Sequence, residues 1–104
     1  MARYNEKLIA YPTQDRLVDK FCETLSRLKT KSAIRNFLKD LLNRQERLML
    51  VRRLLIAELL LEGKTYKEIA EYLQCGMTTI ARVERWLHFG RGGYKEAVEV
   101  KRKS

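Results

Sequence analysis

Lys67, Gly76, Met77, Thr78, Thr79, Ala81, Arg82 and Arg85 carry the chemistry that this sequence offers. They do not form a catalytic set. Long cations at Lys67 and Arg85 suit the clamping of phosphate oxygens, which positions a protein on a duplex without reading it. Met77, Thr78 and Ala81 are short or flexible groups of the kind that reach base edges and thymine methyls in a major groove. Thr79 and Arg82 lie between them and complete a basic, hydroxyl-bearing strip. The chemistry implied is recognition of double-stranded DNA.

Such residues need a rigid mount, and the stretch from Thr65 to Trp86 has the pattern of one. Ile69, Ala70 and Leu73 share an apolar face, as helix periodicity requires. Thr65 and Glu68 have the spacing of a capping box. A turn is expected at Gln74–Cys75–Gly76, with Gly76 free to adopt a backbone conformation costly for other residues. A second helix is expected over Met77–Arg85, with Ile80 and Val83 inward. Leu73, Cys75, Ile80 and Val83 form the wedge between the two, and Ala70 is small where they cross. This is the pattern of a helix-turn-helix, although Gln74 stands where a glycine is expected at the first turn residue. The plainer alternative is an ordinary helical hairpin inside a core.

Charge agrees with the polar strip. The chain of 104 residues has 22 lysines and arginines against 13 acidic residues, for a net charge of +9. Basic proteins of this size commonly meet nucleic acid. Cys22 and Cys75 are too few and too far apart for a disulfide framework, and with His88 alone they make no zinc-ligand set. Both fall on apolar positions and are expected as reduced core thiols. No apolar run approaches the length of a membrane span, and the first residues lack a signal-peptide core. A soluble cytoplasmic protein is expected, with neither metal nor membrane among its partners. The carboxylates are scattered as surface and capping charges, and His88 has no carboxylate partner, so no enzyme activity is expected.

In order along the chain, one all-α domain is expected over residues 1–104. Residues 1–12 read as a flexible arm closed by Pro12, which disfavours helix at Tyr11. A first helix follows over about Gln14–Leu28, with Thr13 as its cap and Leu17, Phe21, Leu25 and Leu28 on one face. A second, capped by Ser32 or a neighbour, carries Ile34, Phe37, Leu38, Leu41 and Leu42. Asn43 and Glu46 make another capping box for a third helix. That third helix is unusual. From Leu48 to Leu61 only Arg52, Arg53 and Glu58 are polar. A helix apolar nearly all round must be covered on most sides, so a second copy of the chain is expected against it; a monomer wrapped by its own first two helices is the alternative. The helix-turn-helix spans about 65–86. Gly90–Gly93 reads as a flexible turn, Tyr94–Val100 as a short last helix with Tyr94, Ala97 and Val98 on one face, and 101–104 as a disordered basic tail.

The stretch from Asn43 to Leu87 resembles the Trp repressor family, and within it the Trp-repressor-like YerC/YecD subgroup. The resemblance rests on Glu46, Arg47, Arg53 and Glu58 before Gly63, then on TYKEIAEYL and GMTTIAR. It implies an intertwined homodimer of about six helices per chain. It also implies a transcriptional regulator, in the usual case a repressor, that sets paired recognition helices into successive major grooves of a pseudo-palindromic operator. The half-sites would then lie about one helical turn apart. The family's effector pocket maps onto Asn43, Arg53, Thr79, Arg82, Val83 and Trp86. Arg53 and Arg82 match the arginines that sandwich the ligand's ring, and Thr79 matches a threonine near it. Val83 replaces a glycine, Trp86 a serine and Asn43 a threonine. These changes fill space and remove polar contacts, which speaks against tryptophan as corepressor and leaves a small-molecule effector of unknown identity open. Trp86, one turn from Arg82, is expected in or near the ligand's space with Arg82 stacked on it, or else as an apolar anchor against Leu60 or Leu87. Two rival functions remain: a helical protein-interaction module without its own operator, and RNA binding, for which no aromatic sheet motif speaks.

Overall fold

The computed structural model describes residues 8–102. It has six helices: α1 (Tyr11–Leu25), α2 (Lys31–Leu41), α3 (Arg44–Leu61), α4 (Tyr66–Leu73), α5 (Met77–Phe89) and α6 (Gly93–Arg102). No strand occurs among the described residues. The chain falls into two compact units, divided between Leu41 and Leu42.

The first unit holds α1 and α2. Helix α1 starts earlier than the sequence suggests, at Tyr11, with Pro12 in its first turn. A proline there loses no hydrogen bond, because first-turn N–H groups have no helical acceptor. Thr13 therefore is not the cap; its hydroxyl accepts from Arg16 Nη2 at 3.2 Å. The helix ends at Leu25 rather than Leu28, where Arg27 N–H and Leu28 N–H shorten their reach to the carbonyls of Thr24 and Leu25. Such three-residue bonds close a helix by tightening it. Thr30, not Ser32, caps α2, its hydroxyl accepting from Ala33 N–H at 3.0 Å. The rings of Phe21 and Phe37 lie 6.4 Å apart. Neither helix has a fully buried residue, and Cys22 is exposed instead of being a core thiol.

The second unit is built on α3. Asn43 Oδ1 accepts from Glu46 N–H at 2.8 Å, and Asn43 N–H donates to Glu46 Oε1 at 2.9 Å, so the expected capping box is formed. The far end closes differently. Gly63 N–H reaches the Leu60 carbonyl and Lys64 N–H the Leu59 carbonyl, both at 3.0 Å. With Gly63 at φ +88°, this is the left-handed closure that satisfies the last carbonyls and turns the chain back. Helices α4 and α5 fold onto the second half of α3. Ile56 and Ala57 of α3, Ile69 of α4, and Ile80, Val83 and Leu87 of α5 form the core. Val98 of α6 is also buried. The first half of α3 is left uncovered: Leu48, Met49, Leu50, Val51 and Leu54 are 38–54% exposed.

Helix α6 runs to Arg102. The expected basic tail is thus helical through its first two residues, while Lys103 and Ser104 lie outside the described residues, as do the first seven of the expected arm. No helix among the described residues is long and apolar enough to cross a membrane.

Candidate nucleic-acid interface

Helix α4 is fixed at its start. Thr65 N–H donates to Glu68 Oε1 at 2.9 Å, and Glu68 N–H donates to Thr65 Oγ1 at 3.1 Å. Both orphan donors of the first turn are satisfied. The bonds from the Thr65 backbone and hydroxyl hold the Glu68 carboxyl below the usual carboxylate range. One residue on, the Tyr66 hydroxyl donates to the Glu84 carboxylate across to α5. That bond, with partial burial and the nearby negative charge, raises the Tyr66 phenol above its ordinary value. A polar strut thus joins the first residue of α4 to the middle of α5, beside the apolar contact of Ile69 with Ile80 and Val83.

The turn between the helices departs from the sequence expectation. Gln74, not Gly76, adopts the left-handed conformation, at φ 55° and ψ 51°. Its own Nε2 donates to the Glu71 carbonyl at 2.7 Å, and Cys75 N–H closes onto the Ala70 carbonyl at 3.3 Å. Gly76 is extended and serves as the N-cap of α5, with no side-chain cap bond. Gln74 therefore takes the left-handed position in which glycine is the usual residue.

Helix α5 extends four residues past the expected Arg85, because Leu87 continues the inward stripe of Ile80 and Val83. With that face buried, Thr78, Ala81, Arg82 and Arg85 are exposed, at spacings that place them along one side of the helix. Gly76 and Met77 are exposed at its N-terminal end, Lys67 is exposed on the first turn of α4, and Thr79 is half-buried. The eight residues expected to meet DNA all belong to α4, α5 and the residue that caps α5.

Behind that face lies a cavity of about 330 Å³, bounded by Arg52 and Arg53 of α3 and by Thr79, Arg82, Val83 and Trp86 of α5. Five of the six residues expected as an effector pocket line it. Asn43 does not; its side chain is spent on the α3 cap. Val83 and Trp86 border the space without closing it. Val83 is buried, whereas the indole of Trp86 is 52% exposed and is no core anchor. Met49, Arg52 and Tyr94 also line the cavity and were not expected there. Met49 and Arg53 are four residues apart on α3, a spacing that signals a shared face. Tyr94 arrives from α6 and has no local signal. Among the described residues, no group of histidine, cysteine or carboxylate side chains is placed to hold a metal ion.

A capped helix, a left-handed turn and a core-anchored second helix with an exposed polar side define a helix-turn-helix protein. The family described as Trp repressor protein matches residues 16–102. The chain belongs to that family, a regulatory DNA-binding family rather than an enzymatic one. It is similar to the uncharacterized protein YerC of Bacillus subtilis (strain 168), with 32% identity over 82 residues, or 79% of each chain. It is also similar to the crystal structure of a TrpR like protein from Eubacterium eligens, with a TM-score of 0.75 and 32% identity. That match covers 91% of this chain and 93% of the other.

Proposed function

We propose that the protein is a sequence-specific transcriptional repressor that binds a pseudo-palindromic operator in the cytoplasm as a homodimer. The observation that carries this reading is the exposed Thr78–Ala81–Arg82–Arg85 side of α5, mounted on a buried core and braced by Tyr66–Glu84. The first turn of α5 has no acidic residue, and its N-cap makes no side-chain bond. Its backbone N–H groups and the positive end of the helix dipole are therefore suited to a DNA phosphate. Lys67 and Arg85 clamp the backbone, while Met77, Thr78 and Ala81 face base edges. The homodimer is supported by the uncovered first half of α3, whose leucines and valine a second copy would remove from water. The cavity behind α5 is the site of a small-molecule effector, placed to alter the seating of α5.

Two substitutions test the assignment. Lys67→Ala weakens binding to every duplex and lowers the salt slope by about one unit, as loss of one phosphate contact does. Thr78→Ala changes the preference among sites, by about 1–3 kcal/mol at the base pair it reads. Parent-like binding by both variants would place recognition elsewhere.

A further inference from the structure

The cavity behind α5 has a one-sided charge. Three guanidinium groups, from Arg52, Arg53 and Arg82, border it, and no carboxylate does. None of the three makes a salt bridge among the described residues. Guanidinium is the side-chain group best matched to carboxylate or phosphate, because its planar fork donates two parallel hydrogen bonds. A cationic ligand group finds no carboxylate among the lining residues, whose neutral side-chain acceptors include the hydroxyls of Thr79 and Tyr94. The rest of the wall is apolar: Val83 is buried, while Met49, Trp86 and the Tyr94 ring stand around it. At about 330 Å³ the space is near the lower end of the range for small-molecule sites.

We propose that this cavity binds a small organic dianion, a flat apolar body carrying a phosphate or two carboxylates, and not a zwitterionic amino acid. The inference rests on the reading of this cavity as an effector site. The charged groups of the ligand meet the arginines, and its flat body lies between Trp86, Tyr94 and Met49 above Val83. The ammonium of an amino acid would enter the field of three positive charges without a carboxylate to answer it, and like charges at close range oppose binding. Two negative charges neutralise that field.

Trp86 is the chain's single tryptophan and lines the cavity, so its fluorescence reports occupancy directly. A series built on one ring separates charge from shape: benzylamine, L-phenylalanine, phenylacetate and phenyl phosphate, with inorganic phosphate as the ringless control. The full chain is titrated with each in the absence of DNA. Affinity is expected to rise in that order along the ring series, with phenyl phosphate at least about tenfold tighter than phenylacetate, as an added charge-assisted bond implies. Arg53→Gln should weaken phenyl phosphate by about tenfold, and Arg53→Lys by less, with an unchanged thermal midpoint in both. L-Phenylalanine binding as tightly as phenyl phosphate would overturn the proposal, and so would an unchanged Trp86 signal with every probe. Inorganic phosphate offers the charge of a DNA backbone phosphate without a flat body. Equal affinity for it and for phenyl phosphate would make the arginines a backbone contact and overturn the proposal too. Because no DNA is present, these outcomes are separate from a failure of operator binding, which the Lys67 and Thr78 variants read.

Discussion

Both halves of α3 carry a run of four apolar residues, Leu48–Val51 in the first and Leu54–Ala57 in the second, and the two runs meet opposite fates. Its second half buries Ile56 and Ala57 completely against α4 and α5. Its first half leaves Leu48, Leu50 and Val51 about half exposed. The difference does not lie in the residues of α3. It lies in what the chain can bring back to them. Helices α4 and α5 follow through short turns, so little loop entropy opposes their return. The first half meets α5 and α6 only around a cavity, where Met49 and Arg52 share a lining with Thr79, Trp86 and Tyr94 and no packed core forms. Helices α1 and α2 repeat the lesson, with apolar stripes and no fully buried residue. Apolar pattern marks what must be covered, and connectivity decides what is covered within each unit.

The strongest way to break this comparison is a charge on the uncovered half. In the homodimer proposed above, Leu50→Glu should abolish assembly at micromolar concentration, because an ionised carboxylate without a partner is very costly in a dry interface. Sedimentation reads the assembly, and circular dichroism should still show helix from the second unit. A variant that stayed dimeric would remove this face from the interface. Next in size is Ile80→Ala, on the covered side, where the side chain has no exposure. A loss of about 2–5 kcal/mol is expected in denaturant unfolding, from lost burial plus the cavity left behind. A cost below that range would mean that the site collapses around the alanine.

Tyr66→Phe sharpens the comparison inside the covered region by removing the strut while keeping the ring. The Glu84 carboxylate loses a donor, so the midpoint of denaturant unfolding should fall. Operator affinity should fall more than that of Thr78→Ala on non-preferred sites, since the angle between α4 and α5 is what changes. The strut also has a pH signature. The folded-state Tyr66 phenol lies above its usual value, so its contribution is complete below the unfolded tyrosine range. It is lost as pH rises through the folded value. The parent should lose stability in that alkaline window, and Tyr66→Phe should lose less. At the acid end Glu68 does the reverse. Its carboxyl is held low, so the capping box contributes above the unfolded value and is lost as pH falls through the folded one. Identical alkaline profiles for parent and Tyr66→Phe would detach the strut from stability.

Much of this arrangement was legible in the sequence, for local reasons. Both capping boxes, Asn43 with Glu46 and Thr65 with Glu68, are written in four residues each and form as read. The apolar period of α4 and α5 names their inward residues, because 3.6-residue spacing and burial are the same statement. What was not legible depended on neighbours distant in sequence. Tyr94 joins the cavity from α6, and Tyr66 finds Glu84 eighteen residues away; no spacing rule links either pair. Asn43 was placed in the effector pocket by resemblance, yet its side chain is committed to the cap. The start of α1 was misjudged because Pro12 reads equally as a helix breaker and as a first-turn residue. The two differ only in whether a turn precedes it.

The turn between α4 and α5 holds the smallest effect and the least expected residue. Gln74 sits at φ 55°, where a side chain costs an L-residue roughly 1–2 kcal/mol. Glycine avoids that cost but loses more conformational freedom on folding, by roughly 0.5–1 kcal/mol relative to alanine. Gln74→Gly also gives up the exposed bond from Nε2 to the Glu71 carbonyl. The strain relieved slightly exceeds these losses. A net stabilisation of up to about 1 kcal/mol is therefore expected in urea unfolding. Gln74→Ala keeps the strain and loses the bond, so it should be no more stable than the parent. The ordering of the two variants is the informative quantity. Glycine above alanine means that backbone strain governs this turn. Alanine at or above glycine would mean that the left-handed conformation costs Gln74 little, and that the chain entropy of glycine decides the outcome.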